Sequence, residues 1–233
     1  MLPATVRLWR LRRTHLRPLT DRNLSNIDQP RRNRCWHHPC RNDGFDADMA
    51  LNEPHLTLRD GTPVLIRRLM AEDAALYPDF LSEVTAEDLR LRFFAPMREV
   101  NHALLDKLIH YDPTRAMAFI AVDEQSRKMQ GVVRLHDDTS GESAEFAILV
   151  RSRLKGHGVG WLLMKRMIEF SKHKNLKTVR GQVLSENTTM LAMCAELGFH
   201  IADDPDDRGV KTVTLPVRPH TSPVDKQDSK FSS

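Results

Sequence analysis

The sequence predicts an α/β fold in which a mixed, mostly antiparallel central sheet is flanked by helices. The order of the predicted elements leads to this expectation. Three consecutive strands over 116–150 are joined by turns of hairpin length, which favours antiparallel pairing. The strand–helix–strand unit over 144–184 needs a crossover connection, which favours one parallel pair. Helices are then required on the faces of the sheet, because each element must bury its apolar side.

The first half of the predicted domain consists of a strand pair followed by helices. Alternation at 55–58, a turn at Asp60-Gly61 and the segment 64–69 predict the two strands. Helices are predicted over 71–84 with an interruption near Pro78, over 86–93, and over 101–109. Thr85 is the expected N-cap of the second helix, because its hydroxyl can accept a backbone N–H bond.

The second half begins with the hairpin-linked strands, and a helix follows them. Strands are predicted over 116–122, 130–135, 144–150 and 178–184, and a closing strand pair over 199–202 and 210–217. The helix from Trp161 to about Lys174 is amphipathic, with Met167 on the apolar face and Arg166 on the charged face. A last helix begins at Ser185 as N-cap and runs to Leu197.

The composition is that of a globular protein. Hydrophobic residues make up 40% of the 233-residue chain and charged residues 28%. The longest apolar run, Ala116–Val122, is far shorter than the ~20 residues of a membrane-spanning helix, so we expect no membrane segment. Three cysteines exclude a disulfide framework and indicate a reducing compartment, so a cytoplasmic location is expected.

Residues 1–50 form a basic segment that differs from the rest of the chain. They contain ten Arg, no Lys and five Asp, which gives a charge of +5, whereas the remaining residues carry −1. The segment has little apolar periodicity, so a disordered leader is expected there. A folded domain over 51–217 and a polar, disordered tail over 218–233 follow.

The leader is open to four interpretations. The first is a mis-assigned start codon, with the protein beginning near Met49. The second is a basic tail that binds nucleic acid or acidic lipid, and the third is a mitochondrial presequence. The fourth is a zinc site at Cys35, His37, His38 and Cys40. No second pair follows at finger spacing, so we expect no metal, and we expect no nucleic-acid binding by the domain.

A glycine-rich loop, Lys-Gly-His-Gly-Val-Gly over 155–160, lies between a predicted strand and a predicted helix. Backbone N–H groups at such a helix start, together with the helix dipole, form an anion site, and Lys155 and Arg153 add positive charge. The loop lacks the Walker pattern, and Trp161 replaces the third glycine of a dinucleotide fingerprint. A phosphate site of another kind and a purely structural tight turn are the remaining alternatives.

The loop and its flanking segments resemble the GNAT superfamily of CoA-dependent N-acyltransferases. The segments that carry the resemblance are AEFAILV over 144–150, the loop itself, ENTTML over 186–191 and ELGF over 196–199. The family's pyrophosphate loop, [QR]-x-x-G-x-[GA], is matched at Lys155, Gly158 and Gly160, with Lys in the first position. The segment LRLRFF over 89–94 is similar to the protein-lysine acetyltransferases of this superfamily.

The resemblance implies a GNAT-like fold and acetyl-CoA as cosubstrate. It places the pyrophosphate on a loop made of Lys155, Gly156, His157, Gly158, Val159 and Gly160. It places the pantetheine arm along Ile148 and Val150, where the strand splays from its neighbour. Asn187 is expected either to contact this arm or to cap the following helix.

Glu145 is the candidate general base. A lysine amine has a reference pKa of ~10.4, so only about one in 2,500 is neutral at pH 7. A positioned carboxylate can remove the proton directly or through water. Glu145 matches the general-base glutamate of the family on the strand that would carry the cofactor. The alternative is a surface or ion-paired strand carboxylate.

The resemblance leaves the general acid and the acceptor open. Many GNAT enzymes carry a tyrosine at the position of Cys194, which is expected either to pack in the core or to act as a weak donor. We expect transfer of an acetyl group to a protein lysine. The alternatives are a small-molecule amine acetyltransferase and a non-catalytic acyl-CoA-binding module. The oligomeric state is not predicted.

Overall fold

The computed structural model describes residues 55–217, except residues 59, 99 and 110. The predicted leader, with its Cys and His cluster, and the predicted tail over 218–233 lie outside the described residues. The interpretations of both segments therefore stay predictions.

Eight strands form one mixed sheet in the order β1-β2-β3-β4-β5-β6-β8-β7. Their bounds are His55–Thr57 (β1), Pro63–Arg68 (β2), Ala116–Asp123 (β3), Met129–Asp137 (β4), Ser143–Val150 (β5), Thr178–Leu184 (β6), His200–Asp203 (β7) and Val210–Pro216 (β8). The β5–β6 pair is parallel, and all other neighbouring pairs are antiparallel. The predicted fold class is confirmed.

Five α-helices cover the described part of the sheet. They are Tyr77–Ser82 (α1), Ala86–Phe93 (α2), His102–Ile109 (α3), Val159–His173 (α4) and Thr188–Glu196 (α5). The helix predicted over 71–84 is instead a 3₁₀ helix, Ala71–Leu76, followed by α1. Pro78 lies in the first turn of α1, where a backbone N–H would have no helical carbonyl to bind. A proline, which lacks this N–H, is therefore tolerated there.

The cap of α5 also differs from the prediction. The Oδ1 atom of Asn187 accepts the backbone N–H of Met190 at 3.2 Å, so Asn187 is the N-cap. Ser185 lies upstream of the helix, where its own N–H donates to the Gly209 carbonyl at 2.8 Å. The prediction chose the wrong residue because Ser and Asn are both good caps and the chain turns between them.

A hydrophobic layer lies on each face of the sheet. The layer that contacts α4 includes the buried side chains of Phe119, Val133, Phe146, Met167 and Phe170. The layer beneath α1 and α2 includes Tyr77, Phe80, Leu89, Ile120 and Leu149. Successive β5 residues therefore contribute to opposite layers, as strand alternation requires.

Arg166 of α4 lies on the opposite side from the one predicted. Its residue is only 6% exposed, and its guanidinium carbon lies 5.6 Å from the centre of the Phe119 ring. The methylene stem can cover apolar surface while the cation contacts an aromatic face. An arginine at a helical position is therefore a weak indicator of an exposed face.

The parallel pair β5–β6 is held together only at its beginning. Ser143 to Glu145 pair with Thr178 to Arg180, and no register continues beyond these residues. The Phe146 ring lies directly against Gly181 on β6 at the point where the strands separate. The two strands consequently open a gap in the middle of the sheet, immediately after Glu145.

We expect Gly181→Ala to destabilise the fold at this gap. A methyl group on Gly181 would lie 2.6 Å from Cε1 of Phe146, so the ring must move. Overpacking of this kind costs about 1–3 kcal/mol, which urea denaturation can measure as a loss in unfolding free energy. Adding Phe146→Leu to the same chain should restore part of the loss. An unchanged unfolding free energy in Gly181→Ala would contradict the contact.

Candidate active site

A large open cleft of about 1200 Å³ lies at the gap between β5 and β6. Its walls come from the second half of β5, the glycine loop, and residues of α2, α4 and α5. Most of the residues predicted for the site line this cleft: Glu145, Ile148, Val150, Lys155, Gly156, His157, Gly158, Gly160 and Asn187. Val159 differs, because the residue is fully buried in the core and does not line the cleft.

The glycine loop has the backbone geometry of an anion site. Gly156 and Gly158 have φ angles of +80° and +99°, which glycine adopts without strain. The first bond into α4 runs from the Leu162 N–H to the Gly158 carbonyl at 3.0 Å. The N–H groups at 159–161 thus have no i−4 acceptor, and the positive end of the helix dipole lies among them. These groups are suited to a phosphate or diphosphate.

The basic side chains of the loop are not free in the structure. Lys155 forms an ion pair with Asp88 on α2. The Nε atom of Arg153 donates to Glu83 at 2.7 Å. Each of these cations is therefore paired with a carboxylate in the structure, and its expected contribution to an anion site stays a prediction. The pairing joins α1 and α2 to the loop, and the backbone N–H groups remain for the anion.

Asp88 is the carboxylate through which α2 contacts the loop. Its residue is 6% exposed, and its carboxylate also accepts the hydroxyl of Ser152. Burial raises the pKa of Asp88, but hydrogen bonds from Lys155 and Ser152 outweigh burial, and the pKa lies below its ordinary value. A lowered pKa means that the ionised carboxylate stabilises the folded chain relative to the unfolded chain.

A pH-dependent contribution to stability follows from Asp88. The stabilisation is present above the ordinary aspartate pKa of about 4 and is lost as the pH falls through the lower, folded value. We therefore expect the difference in unfolding free energy between wild type and Asp88→Asn to shrink as the pH falls from about 6 to 3. Denaturant titrations at each pH measure it. A difference that does not vary with pH would contradict the ion pair.

Glu145 lies at the inner end of the cleft with its carboxylate available. The residue is partly buried, and its neighbours across the sheet are His136 on β4 and Arg180 on β6. Within residues 55–217 as described, its carboxylate forms no hydrogen bond or ion pair. It interacts electrostatically with Arg92, whose pKa falls to about 10, chiefly through burial. The alternative of an ion-paired structural carboxylate is therefore disfavoured.

Asn187 and Cys194 have different environments. Asn187 caps α5 through its oxygen while lining the cleft, so both roles considered for it remain compatible. Cys194 is fully buried, and burial raises the pKa of its thiol to about 12. A buried, weakly acidic thiol outside the cleft lining is a packing residue and is poorly placed to donate a proton.

Several side chains of the cleft were not predicted for the site. Trp161, Met190 and Met193 line it, as do Leu91 and Arg92 on α2. The two methionines also pack against the core, and apolar periodicity alone does not distinguish a core face from an apolar cleft wall. Leu91 and Arg92 lie within LRLRFF, which is similar to protein-lysine acetyltransferases, but that similarity assigned no role to either residue, and tertiary packing brings them to the cleft.

Residues 64–200 match the family model described as an acetyltransferase (GNAT) domain, which is more than half of the chain. The chain belongs to the GNAT acetyltransferase family. The glycine loop and the opened β5–β6 pair lie within the matched region, and the enzyme is an N-acetyltransferase of this type.

Individual relatives agree with the family assignment. An acetyltransferase of Pseudomonas aeruginosa, PA5475, is 28% identical over 153 residues, which are 65% of this chain and 82% of that protein. The GNAT domain of S. lividans PAT superposes with a TM-score of 0.64 at 22% identity, covering 70% of this chain and 96% of that one. Spermidine N-acetyltransferase from Vibrio cholerae, solved with CoA and spermine, superposes with a TM-score of 0.54 at 20% identity, covering 66% and 95%.

No helix among the described residues is long and apolar enough to cross a membrane. No group of three or more His, Cys, Asp and Glu side chains in that part of the chain is arranged to hold a metal ion. The cytoplasmic location stays a prediction.

Proposed function

We propose that this GNAT enzyme transfers the acetyl group of acetyl-CoA to a lysine side chain of a protein. The observation that carries the proposal is the unpaired carboxylate of Glu145 at the point where β5 and β6 separate. A donor that bound the loop through its diphosphate and ran along Ile148 and Val150 would end beside this carboxylate. The similarity of LRLRFF to protein-lysine acetyltransferases supports a protein acceptor.

The reaction follows from these positions. Glu145 takes a proton from the incoming ammonium group, directly or through water, and leaves a neutral amine. The nitrogen lone pair attacks the thioester carbon, and unpaired N–H groups near the end of β5 stabilise the oxyanion. The nitrogen then loses its second proton to solvent while the C–S bond breaks with its electron pair on sulfur. The thiolate takes a proton from solvent, since the Cys194 thiol is buried.

A small amine is the second candidate acceptor, and one observation limits its chemistry. Arg92 and Arg134 lie on the same side of the sheet as Glu145. Two guanidinium groups near the base disfavour a second positive charge beside the reacting amine, whereas Glu87, Glu186 and Glu196 line other parts of the cleft. A lysine on a protein surface, or an amine that carries negative charge, is compatible with it.

Mass spectrometry tests the proposed function. The purified chain is incubated with isotope-labelled acetyl-CoA and a cell lysate. The endogenous acetyl-lysine of the lysate is quantified beforehand. We expect labelled acetyl-lysine on a restricted set of proteins, absent when Glu145→Gln replaces the wild type. Labelling only of added small amines would support the second candidate. CoA binding without transfer to any acceptor would instead indicate a non-catalytic module.

A further inference from the structure

We propose that Arg92 and Arg134 form a carboxylate-binding subsite beside Glu145. The carboxylate belongs to one of the two reactants, either to the acceptor, next to its amine, or to the far end of a dicarboxylic acyl group on CoA. The subsite presupposes the proposed acyl transfer and specifies the chemistry of the molecules that take part in it.

Arg92 and Arg134 lie together behind the wall of the large cleft. Both line a small cavity of about 10 Å³ beneath α1, α2 and α3, which Tyr77 and Leu108 close on the far side. Arg92, Ala147 and Leu149 line this cavity and also the large cleft, so the cavity lies directly behind the cleft wall. Ala147 is two residues beyond Glu145 on β5 and is paired with Arg134 on β4. The guanidinium groups are thus next to the proposed reaction centre.

Neither cation forms an ion pair or a hydrogen bond with a carboxylate among the described residues, and Glu145 acts on Arg92 only through its charge. Arg134 donates to the Tyr77 hydroxyl at 2.9 Å and lies over the Tyr111 ring, while its buried Nε has no hydrogen-bond partner. Arg92 lies over the Phe93 ring, 4.8 Å from its centre. The charge of Arg134 contributes, after burial, to the lowered pKa of Arg92.

Two other enclosed arginines among the described residues contact carboxylates directly. Arg151, fully buried, binds the carboxylates of Asp79 and Glu83. Arg67 donates to both oxygens of Asp73 at 2.6 Å. Removing guanidinium charge from water is costly unless an anion and hydrogen bonds compensate for it. The Arg92–Arg134 pair makes no direct carboxylate contact among the described residues, and the charge of Glu145 balances only one of the two cations, so a bound anion would complete the compensation.

A carboxylate fits this pair better than other anions do. The planar guanidinium binds two carboxylate oxygens through parallel N–H bonds, which gives direction as well as charge. The cavity behind the wall has room for no more than about one water molecule, so the carboxylate would approach the pair from the large cleft, which Arg92 also lines. An amine near Glu145 and a carboxylate near Arg92 could belong to one acceptor, and an acyl chain from the thioester could also reach the same cations.

Two pairs of matched probes distinguish the sources of the carboxylate. For the donor, calorimetry compares the dissociation constants of succinyl-CoA and butyryl-CoA. For the acceptor, the kcat/KM of acetyl transfer to a lysine peptide with a flanking Asp is compared with that to the same peptide with Asn. We expect a preference of tenfold or more for the carboxylate in one of the two pairs, and the pair that shows it identifies the source.

Arg92→Met and Arg134→Met should each bring this preference close to one. The ratio is taken within each variant, since Arg92 interacts electrostatically with Glu145 and its loss also changes the rate with the uncharged probe. Arg90→Met is the control, since Arg90 lies on the same helix but is already paired with Glu87 and Glu186, and it should keep the preference. If a melting curve shows that Arg134→Met is unfolded, Arg92→Met and Arg92→Lys decide. A ratio near one in both wild-type pairs would overturn the subsite even if transfer occurs. Failure of all CoA esters to bind would reject the proposed function itself.

Discussion

Glu145→Gln is expected to lower kcat for acetyl transfer by about 10²- to 10³-fold and to change the dissociation constant of CoA by less than twofold. General-base catalysis by a positioned group contributes about 10²- to 10⁴-fold, and glutamine has nearly the same shape but cannot take a proton. The CoA contacts proposed here come from backbone groups on other residues. Steady-state kinetics with calorimetry separates the two quantities.

Glu142→Gln is the matched control for this experiment. Glu142 lies three residues earlier, is exposed, and pairs with Lys177 outside the cleft. We expect its kcat to remain within twofold of the wild-type value, because an exposed ion pair contributes little. Full activity in Glu145→Gln would contradict the assignment of the base, and an equal loss in both variants would indicate a general effect of charge.

Gly158→Val is expected to weaken CoA binding by about tenfold or more. Gly158 has a φ of +99° at the start of α4, and a β-branched residue is strained in that region by about 1–3 kcal/mol. No atom lies within 4 Å of an added Cβ, so backbone strain and not a clash would reorganise the loop. About 1.4 kcal/mol corresponds to tenfold in the dissociation constant. Calorimetry with CoA measures the effect.

Gly141→Val separates loop geometry from general strain. Gly141 also has a positive φ, +71°, with no atom within 4 Å of an added Cβ, and it lies in the β4–β5 turn away from the cleft. Both variants should lose stability, but Gly141→Val should bind CoA as the wild type does. Equal affinities in Gly158→Val and wild type would show that the loop backbone does not hold the cofactor.

The order and type of most elements could be predicted from the sequence. The hairpin-linked strands β3 to β5 have apolar patterns and turn residues within a few positions of one another, so local information is sufficient for them. Helix α2 was predicted with its observed bounds because Thr85 caps it, with its hydroxyl accepting the Asp88 N–H. The helix over 71–84 was wrong in detail, since a proline fixes a boundary but not the type of helix that precedes it.

The site was predictable where its parts are contiguous in the chain. The glycine loop and Glu145 are local patterns, and the structure brings them to one cleft. The Lys155–Asp88 pair joins residues 67 apart in sequence, and Arg92 on α2 and Arg134 on β4 line the same small cavity. Such contacts depend on how α2 packs against β4 and β5, and no spacing in one sequence encodes this.

The structure of the protein with bound acetyl-CoA tests the central claim most directly. We expect the diphosphate to accept hydrogen bonds from backbone N–H groups within 156–161 and the pantetheine arm to run between β5 and β6. The thioester carbonyl carbon should then lie within one water molecule's reach of the Glu145 carboxylate. A diphosphate bound elsewhere, or a thioester on the opposite face of the sheet from Glu145, would contradict the account.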